Sequence, residues 1–229
     1  MSDIVIHPIA YMKSDFPTKF GIPRQSNLAS SLRSTIVFEP EYRVADALRG
    51  LEGYSHLWSI WQFSQVVRTN WSHTVRPPRL GGNVRMGVFA TRSPFRPNNL
   101  GLSCVKLEAI ELDTPQGPVI HVSGADLMDG TPIFDIKPYI PYADSFPDAL
   151  GGFTDSAGDF LLTVDFPAEL LRKIPEAKRD AAKEVLSHDP RPSYQRDPNR
   201  IYGLPFAGFD IRFQVQNDIL TFVEVEPLP

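Results

Sequence analysis

Twenty-two prolines are spread along this chain of 229 residues rather than gathered in one tract. Each fixes φ and removes a backbone donor, so prolines end helices and keep to the edges of sheets. Their spread disfavours long helices and favours many short strands joined by stiff loops. Residues 4–13, 34–38, 56–63, 102–112, 119–123 and 133–136 read as strands. The strongest is HLWSIWQF at 56–63, rich in aromatic and β-branched residues. A helical period runs through 44–51 and stops at Gly53. GGFTDSAG at 151–158 is a break of turn formers and small residues, and the pattern changes after it. Residues 168–186 have a helical period, with Leu170, Leu171, Ile174, Ala181, Ala182 and Val185 on one side and Pro175 interrupting it. Residues 209–215 and 219–225 read as a hairpin around Asn217-Asp218. The expectation is a mainly β chain, with a first domain at 1–150 and a smaller α+β domain at 158–229.

Charge is segregated along the chain. Between Glu52 and Glu108 there is no Asp or Glu, while Arg68, Arg76, Arg79, Arg85, Arg92, Arg96 and Lys106 fall inside. The window carries +7 in a chain of formal charge −4, so the remainder carries −11. A positive segment on an acidic body focuses its field on an anionic ligand while limiting non-specific adhesion. Trp71, Phe89 and Phe95 are interleaved with the arginines, and Pro77-Pro78, Gly81-Gly82 and Pro97-Asn98-Asn99 make turns that expose backbone. Guanidinium on phosphate and ring on base suit single-stranded or looped nucleic acid. A plainer reading stays open. Phe89 lies in a strand-like alternation with Met86, Val88 and Ala90, as a core residue would, and single arginines are often solvated or paired with distant acids. The cluster as a whole points to an anion site, with Arg76, Arg79 and Arg96 as its RNA-facing candidates.

Two other stretches carry unusual side chains. Arg24-Gln25-Ser26-Asn27 closes a loop made irregular by Pro17, Gly21 and Pro23, and offers a dense set of donors; turn chemistry alone also accounts for it. In DLMDGTPIFDIKPYIPYAD at 126–144, Asp129-Gly130 is a turn signal. Asp129 is either a turn residue or a partner for ribose hydroxyls or an adenine amino group. Lys137, Tyr139 and Tyr142 follow on a proline-stiffened segment suited to stacking. Near the end, DPRPSYQR places Arg191, Tyr194 and Arg196 on a polar loop.

Several chemistries are not indicated. There is no GxGxxG and no phosphate-binding GxxxxGK[ST], and Ser103 in GLSCV fails the GxSxG pattern. No Asp-Pro-Pro-Tyr stretch occurs. His7, His56, His73, His121 and His188 show no paired ligand spacing, so no metal site is expected; His56 reads as a core or turn residue. Cys104 is the only cysteine, which leaves no disulfide framework, and its apolar run suggests an inert buried thiol. No signal peptide and no apolar run of membrane-spanning length is seen, so a cytoplasmic protein without membrane association is expected.

FGIPRQ at 20–25, RGLEGYSHLW at 49–58, VRPPRLGG at 75–82, MGVFATRSPFRPNNLGLS at 86–103, DGTPIFDIKPY at 129–139 and DPRPSY at 189–194 occur in this order. Together they resemble the TsaA-like (TrmO) family, from about residue 3 to 225. Its members are S-adenosylmethionine-dependent methyltransferases acting on N6 of threonylcarbamoyladenosine at position 37, next to the tRNA anticodon. The resemblance implies a small antiparallel β-barrel with a C-terminal α+β extension, a homodimer, S-adenosyl-L-methionine as cofactor and the tRNA anticodon loop as partner. Carried over by motif, the cofactor contacts are Gln25, Ser26, Asn27, Ser64, Gln65, Arg92, Leu102, Asp129, Gly130, Thr131 and Pro132. Expected RNA contacts are Arg76, Arg79, Arg96, Lys137, Tyr139, Arg191 and Tyr194, the last two on a C-terminal unit expected to select the RNA. An acceptor near N6 is needed as the proton leaves; Asp129 is a candidate, and a backbone carbonyl of the same turn is another. Two departures stand out. Phe63-Ser64-Gln65 replaces the family's FHQ, and Asn99 replaces a proline, which should loosen that turn. A non-enzymatic RNA-binding barrel and a small-molecule enzyme of another type are the alternative functions; a bound S-adenosyl ligand separates them from the methyltransferase.

Overall fold

The computed structural model describes residues 4–66, 70–155, 160–192, 195 and 197–229, with the backbone alone for Arg79. The first part holds β1 (Ala10–Lys13), β2 (Arg33–Phe38), β3 (His56–Gln62), the short pair β4 (Thr74–Val75) and β5 (Met86–Gly87), β6 (Leu100–Glu111), β7 (Val119–Ser123) and β8 (Pro132–Pro138). Six of these close into a barrel in the order β1-β2-β7-β6-β3-β8, every pairing antiparallel. Alternation decides what fills it. In β3, Leu57, Ser59 and Trp61 point inward and are buried, while His56, Trp58, Ile60 and Gln62 alternate with them on the outer face. Met12, Ile36, Val105, Ile120, Val122 and Ile133 join Leu57 and Trp61 in a continuous apolar interior.

The second part is built from β9 (Thr163–Asp165), the helices α2 (Ala168–Leu171) and α3 (Glu176–Ser187) and the strands β10 (Tyr202–Phe206), β11 (Phe209–Gln216) and β12 (Ile219–Pro227). Before them lies α1 (Pro141–Asp144), a single turn after the barrel. The four strands form one sheet, β10-β11-β12-β9, with β9 parallel to β12. Its core is not confined to the C-terminal residues. Phe16, Ala29 and Leu32, from the long connection between β1 and β2, are buried among Ile174, Leu186, Leu204 and Phe206. The same connection is tied down by polar contacts. Glu184 accepts from the backbone N–H of Ser31 at 2.8 Å and from its Oγ at 2.7 Å, Lys178 pairs with Asp15 at 2.6 Å, and His188 Nε2 lies 2.7 Å from the Leu28 carbonyl.

Some sequence expectations shift. The first strand begins at Ala10 rather than residue 4, because Pro8 has no N–H for the ladder; Ile4, Val5 and Ile6 are exposed. The helical period at 44–51 becomes two 3-10 turns, Ala45–Leu48 and Leu51–Gly53, separated by Gly50 at φ +86°. The alternation at 86–90 is only two residues of strand followed by a 3-10 turn, Val88–Ala90, which leaves Phe89 69% exposed and excludes its core reading. Pro175 divides 168–186 into α2 and α3. The break at 151–158 falls partly outside the described residues. Among the described residues no helix is long and apolar enough to cross a membrane.

Candidate functional site

Antiparallel pairing places the ends of β1, β3 and β7 beside the starts of β2, β6 and β8, so the three connections β1–β2, β3–β6 and β7–β8 meet at one rim of the barrel. There a cleft of about 580 Å³ opens and runs onto the outer face of β3 and β6. Its apolar wall includes Trp58, Trp61, Phe63, Leu100 and Leu102. Its charged groups are Lys19, Arg24, Arg92, Arg96 and Asp126, so Asp126 is the one carboxylate among the described lining residues. The volume lies within the range of small-molecule and cofactor sites, as does the mixture of aromatic wall and few polar groups.

Two glycines let the pieces approach. Gly101 stands opposite Trp61 in the β3–β6 register, and a Cβ there would meet the indole at 2.3 Å. The indole therefore lies flat over Gly101, and its Nε1–H donates to Ser103 Oγ, two residues on, at 2.9 Å. Ser103 in turn donates to Asp126 Oδ1 at 2.6 Å. Gly124 has φ +72°, and a Cβ would fall 2.6 Å from Asn27 Oδ1 and 3.1 Å from Asn27 Cα. Close contact there lets the Asn27 N–H donate to the Gly124 carbonyl at 2.8 Å, which docks the 24–27 loop beside Asp126. The Ser26 N–H reaches the Asp126 carboxylate, and Arg92 donates to Gln25 Oε1 across the cleft. Burial pushes the Asp126 carboxyl above the usual aspartate range, and the Ser103 hydroxyl, backbone N–H groups and the Arg92 charge only partly offset it.

The expected cofactor residues divide. Gln25, Ser64, Gln65, Arg92, Leu102 and Thr131 line the cleft. Ser26 borders it through its N–H, and Asn27 Nδ2 donates to the Cys104 carbonyl at 3.0 Å. Asp129, Gly130 and Pro132 stand outside the lining. The Asp129 carboxylate accepts from the Ser14 N–H at 3.0 Å and pairs with Lys13 at 3.4 Å, the Gly130 N–H donates to Met12, and Pro132 is buried opposite Tyr11. This turn fastens β8 to the end of β1. Asn99 does not loosen its turn: its Oδ1 accepts from Gln62, its Nδ2 donates to the Phe63 carbonyl, and its own carbonyl accepts the Phe63 N–H at 3.0 Å.

The expected RNA contacts divide too. Arg76 is exposed. Arg96 donates to the carbonyls of Val88 and Thr91 at 3.1 and 2.6 Å and stands over the Phe89 ring, 5.5 Å from its centroid. It thus shapes the loop that carries Arg92 and lines the cleft itself. Trp71 lies 5.8 Å from Phe89 at 30°, so two exposed rings and a guanidinium share one surface. Lys137 pairs with Asp135 at 2.9 Å, and Tyr139 packs on Trp58 and His56. Arg191 is held bidentately by Asp189 at 2.8 and 2.9 Å. Tyr194, Arg196, Arg68 and the Arg79 side chain lie outside the described residues. Cys104 is half-buried rather than buried; burial first and the Asp144 charge second push its thiol up, away from a reactive thiolate.

Asp126 itself escaped the sequence reading, as did the role of Trp61 and Ser103. One signal was present: a carboxylate between Ala125 and Leu127, in an otherwise apolar run, is placed for burial.

Against known proteins, the profile of the tRNA-methyltransferase O N-terminal domain matches residues 11–145, and that of the TrmO C-terminal domain matches 160–228. The chain belongs to the tRNA-methyltransferase O family. It is 38% identical over 235 residues to a tRNA (adenine(37)-N6)-methyltransferase of Escherichia coli, covering 99% of this chain and all of that one. The crystal structure of TrmO from Pseudomonas aeruginosa superposes with a TM-score of 0.81 at 33% identity, over 100% of this chain and 99% of the other. A probable S-adenosyl-L-methionine-binding protein of Methanothermobacter thermautotrophicus is 37% identical over 147 residues, 63% of this chain but 98% of its own length.

Proposed function

We propose that this chain methylates N6 of the adenosine at position 37 of tRNA, next to the anticodon, with S-adenosylmethionine as donor. The substrate form is threonylcarbamoyladenosine, as the family motifs imply. One observation carries this most directly. Arg96 belongs both to a cleft of cofactor size and to the exposed Trp71–Phe89 surface, so a donor pocket and a base-stacking surface meet at one side chain. The relative of Methanothermobacter thermautotrophicus supports S-adenosylmethionine as the ligand, since its name is that of a protein binding this cofactor. When bound, the cofactor supplies a methyl group activated by a sulfonium.

Gln25, Ser64, Gln65, Arg92, Leu102 and Thr131 hold the cofactor, with Ser26 and Asn27 positioning the loop above it. The aromatic wall excludes water, and fixed orientation supplies much of the acceleration. Trp71 and Phe89 offer faces on which an unstacked anticodon-loop base rests, and Arg76 and Arg85 lie exposed on the same lobe for phosphate. Residues 1–150 act as the catalytic domain and 158–229 as the unit that braces it and selects the RNA. Exposed Tyr142, Phe146 and Leu150 leave apolar surface that a second copy would cover, in support of a homodimer; the site of action is the cytoplasm. Mass spectrometry of tRNA nucleosides from cells lacking the protein tests the function. Loss of one methyl group from the position-37 nucleoside is expected, and an unchanged nucleoside profile would contradict it.

A further inference from the structure

The reaction needs a group to take a proton, and the cleft offers one. N6 of an adenine is conjugated with the ring, and a carbamoyl substituent withdraws its lone pair further. It becomes an effective nucleophile only as its proton leaves, so a base within reach lowers the barrier. Lys19, Arg24, Arg92 and Arg96 are cations, and the described lining contains no histidine. Asp129 is committed to Ser14 and Lys13 outside the cleft. Asp126 remains. Its Oδ1 is fixed by Ser103, which is fixed by Trp61, and Trp61 is seated against Gly101. This chain of contacts holds a carboxylate in place at the cofactor cleft, beside the loop of Arg92.

We propose that Asp126, oriented by Ser103 and Trp61, is the base that accepts the N6 proton during methyl transfer, an inference that rests on the methyltransferase reading above. The bookkeeping closes without any other reactant. N6 gains the methyl carbon as the carbon–sulfur bond breaks, sulfur keeps the bonding pair as a neutral thioether, and the N6 proton passes to the carboxylate. A cation and an anion are thus replaced by a thioether and a carboxylic acid. In a partly desolvated cleft, loss of both charges favours the product side, and burial that raises the proton affinity of Asp126 acts in the same direction. The Arg92 charge acts in the opposite sense, favouring the carboxylate form.

The test pairs Asp126→Asn with Ser103→Ala in the full-length protein. Asp126→Asn is expected to bind S-adenosylmethionine as the wild type does in calorimetry, while kcat on tRNA falls about 10²–10⁴-fold. Ser103→Ala removes a hydrogen bond to the ionised carboxylate. Its Asp126 carboxyl, followed by carbon-13 NMR titration of the protein without cofactor, should titrate at higher pH than in the wild type. The rising acid limb of kcat should move up by the same amount. The Asn variant assigns the resonance; if it does not fold, loss of the aspartate signal in Asp126→Glu serves instead. Asp126 is ruled out as the base if Asp126→Asn retains wild-type kcat. It is also ruled out if cofactor affinity falls in step with kcat, or if the acid limb of Ser103→Ala ignores the Asp126 titration. Wild-type protein inactive on tRNA would instead count against the methyltransferase reading and remove the proton path with it.

Discussion

Gly124 shows how a single backbone position governs the site. Its left-handed φ and the contact with Asn27 both exclude a side chain, so Gly124→Ala strains the turn and pushes the 24–27 loop off the cleft. A loss of about 1–3 kcal/mol in urea unfolding is expected. Glu108 is a second such residue, at the bulge where the β6–β7 register shifts. The Ser123 hydroxyl first, then Lys106 and Arg33, hold its carboxyl below the usual glutamate range. Its contribution to stability is present above the unfolded pKa, about 4.3, and is lost as pH falls through the lower folded value. Thermal unfolding should show Glu108→Gln less stable than wild type at neutral pH, with the gap closing on acidification; a pH-independent gap would contradict this. The arginines of the acid-free window stood out in the sequence by their charge, but their division of labour did not. Whether a guanidinium faces solvent, as Arg76 does, or staples a loop, as Arg96 and Arg191 do, depends on carbonyls and carboxylates that only the folded turns bring near.

At the scale of elements, strands with clear alternation were readable from sequence, and those set by distant partners were not. HLWSIWQF declares β3 by itself, whereas the three-residue β9 exists only because β12 lies alongside it. The connection between β1 and β2 is the more consequential case. Turn chemistry marked it as irregular, yet its apolar Phe16, Ala29 and Leu32 gave no hint that they would enter the C-terminal core. Since this connection also carries Gln25 and Ser26, the C-terminal helix α3 acts on the cleft from behind. Glu184→Ala removes both contacts to Ser31 without touching the lining. It should lower stability by roughly 1.5–3 kcal/mol, the range for hydrogen bonds to a charged group. It should also weaken S-adenosylmethionine binding in calorimetry; full affinity would mean that the brace does not reach the cleft.

For the molecule as a whole, turn formers at 151–158 marked a change of pattern along the chain, but nothing in the sequence showed that residues before the break pack into a core with residues after it. Phe16, Ala29 and Leu32 are 1%, 0% and 2% exposed in the whole chain, covered by the C-terminal core. A chain cut at Gly152 would expose them, and light scattering should find it aggregated at concentrations where the full chain is monodisperse. A monodisperse fragment with full cofactor affinity would show that the C-terminal unit only selects RNA.

Methyl transfer to N6 next to the anticodon is the reaction that every site assignment above serves. Purified protein incubated with tRNA and S-adenosylmethionine carrying a deuterated methyl group tests it directly, with nuclease digestion and mass spectrometry of the nucleosides. One labelled methyl on the position-37 adenosine nucleoside is the predicted result. Tight binding of both ligands with no label in the RNA, or label at another nucleoside, would contradict it.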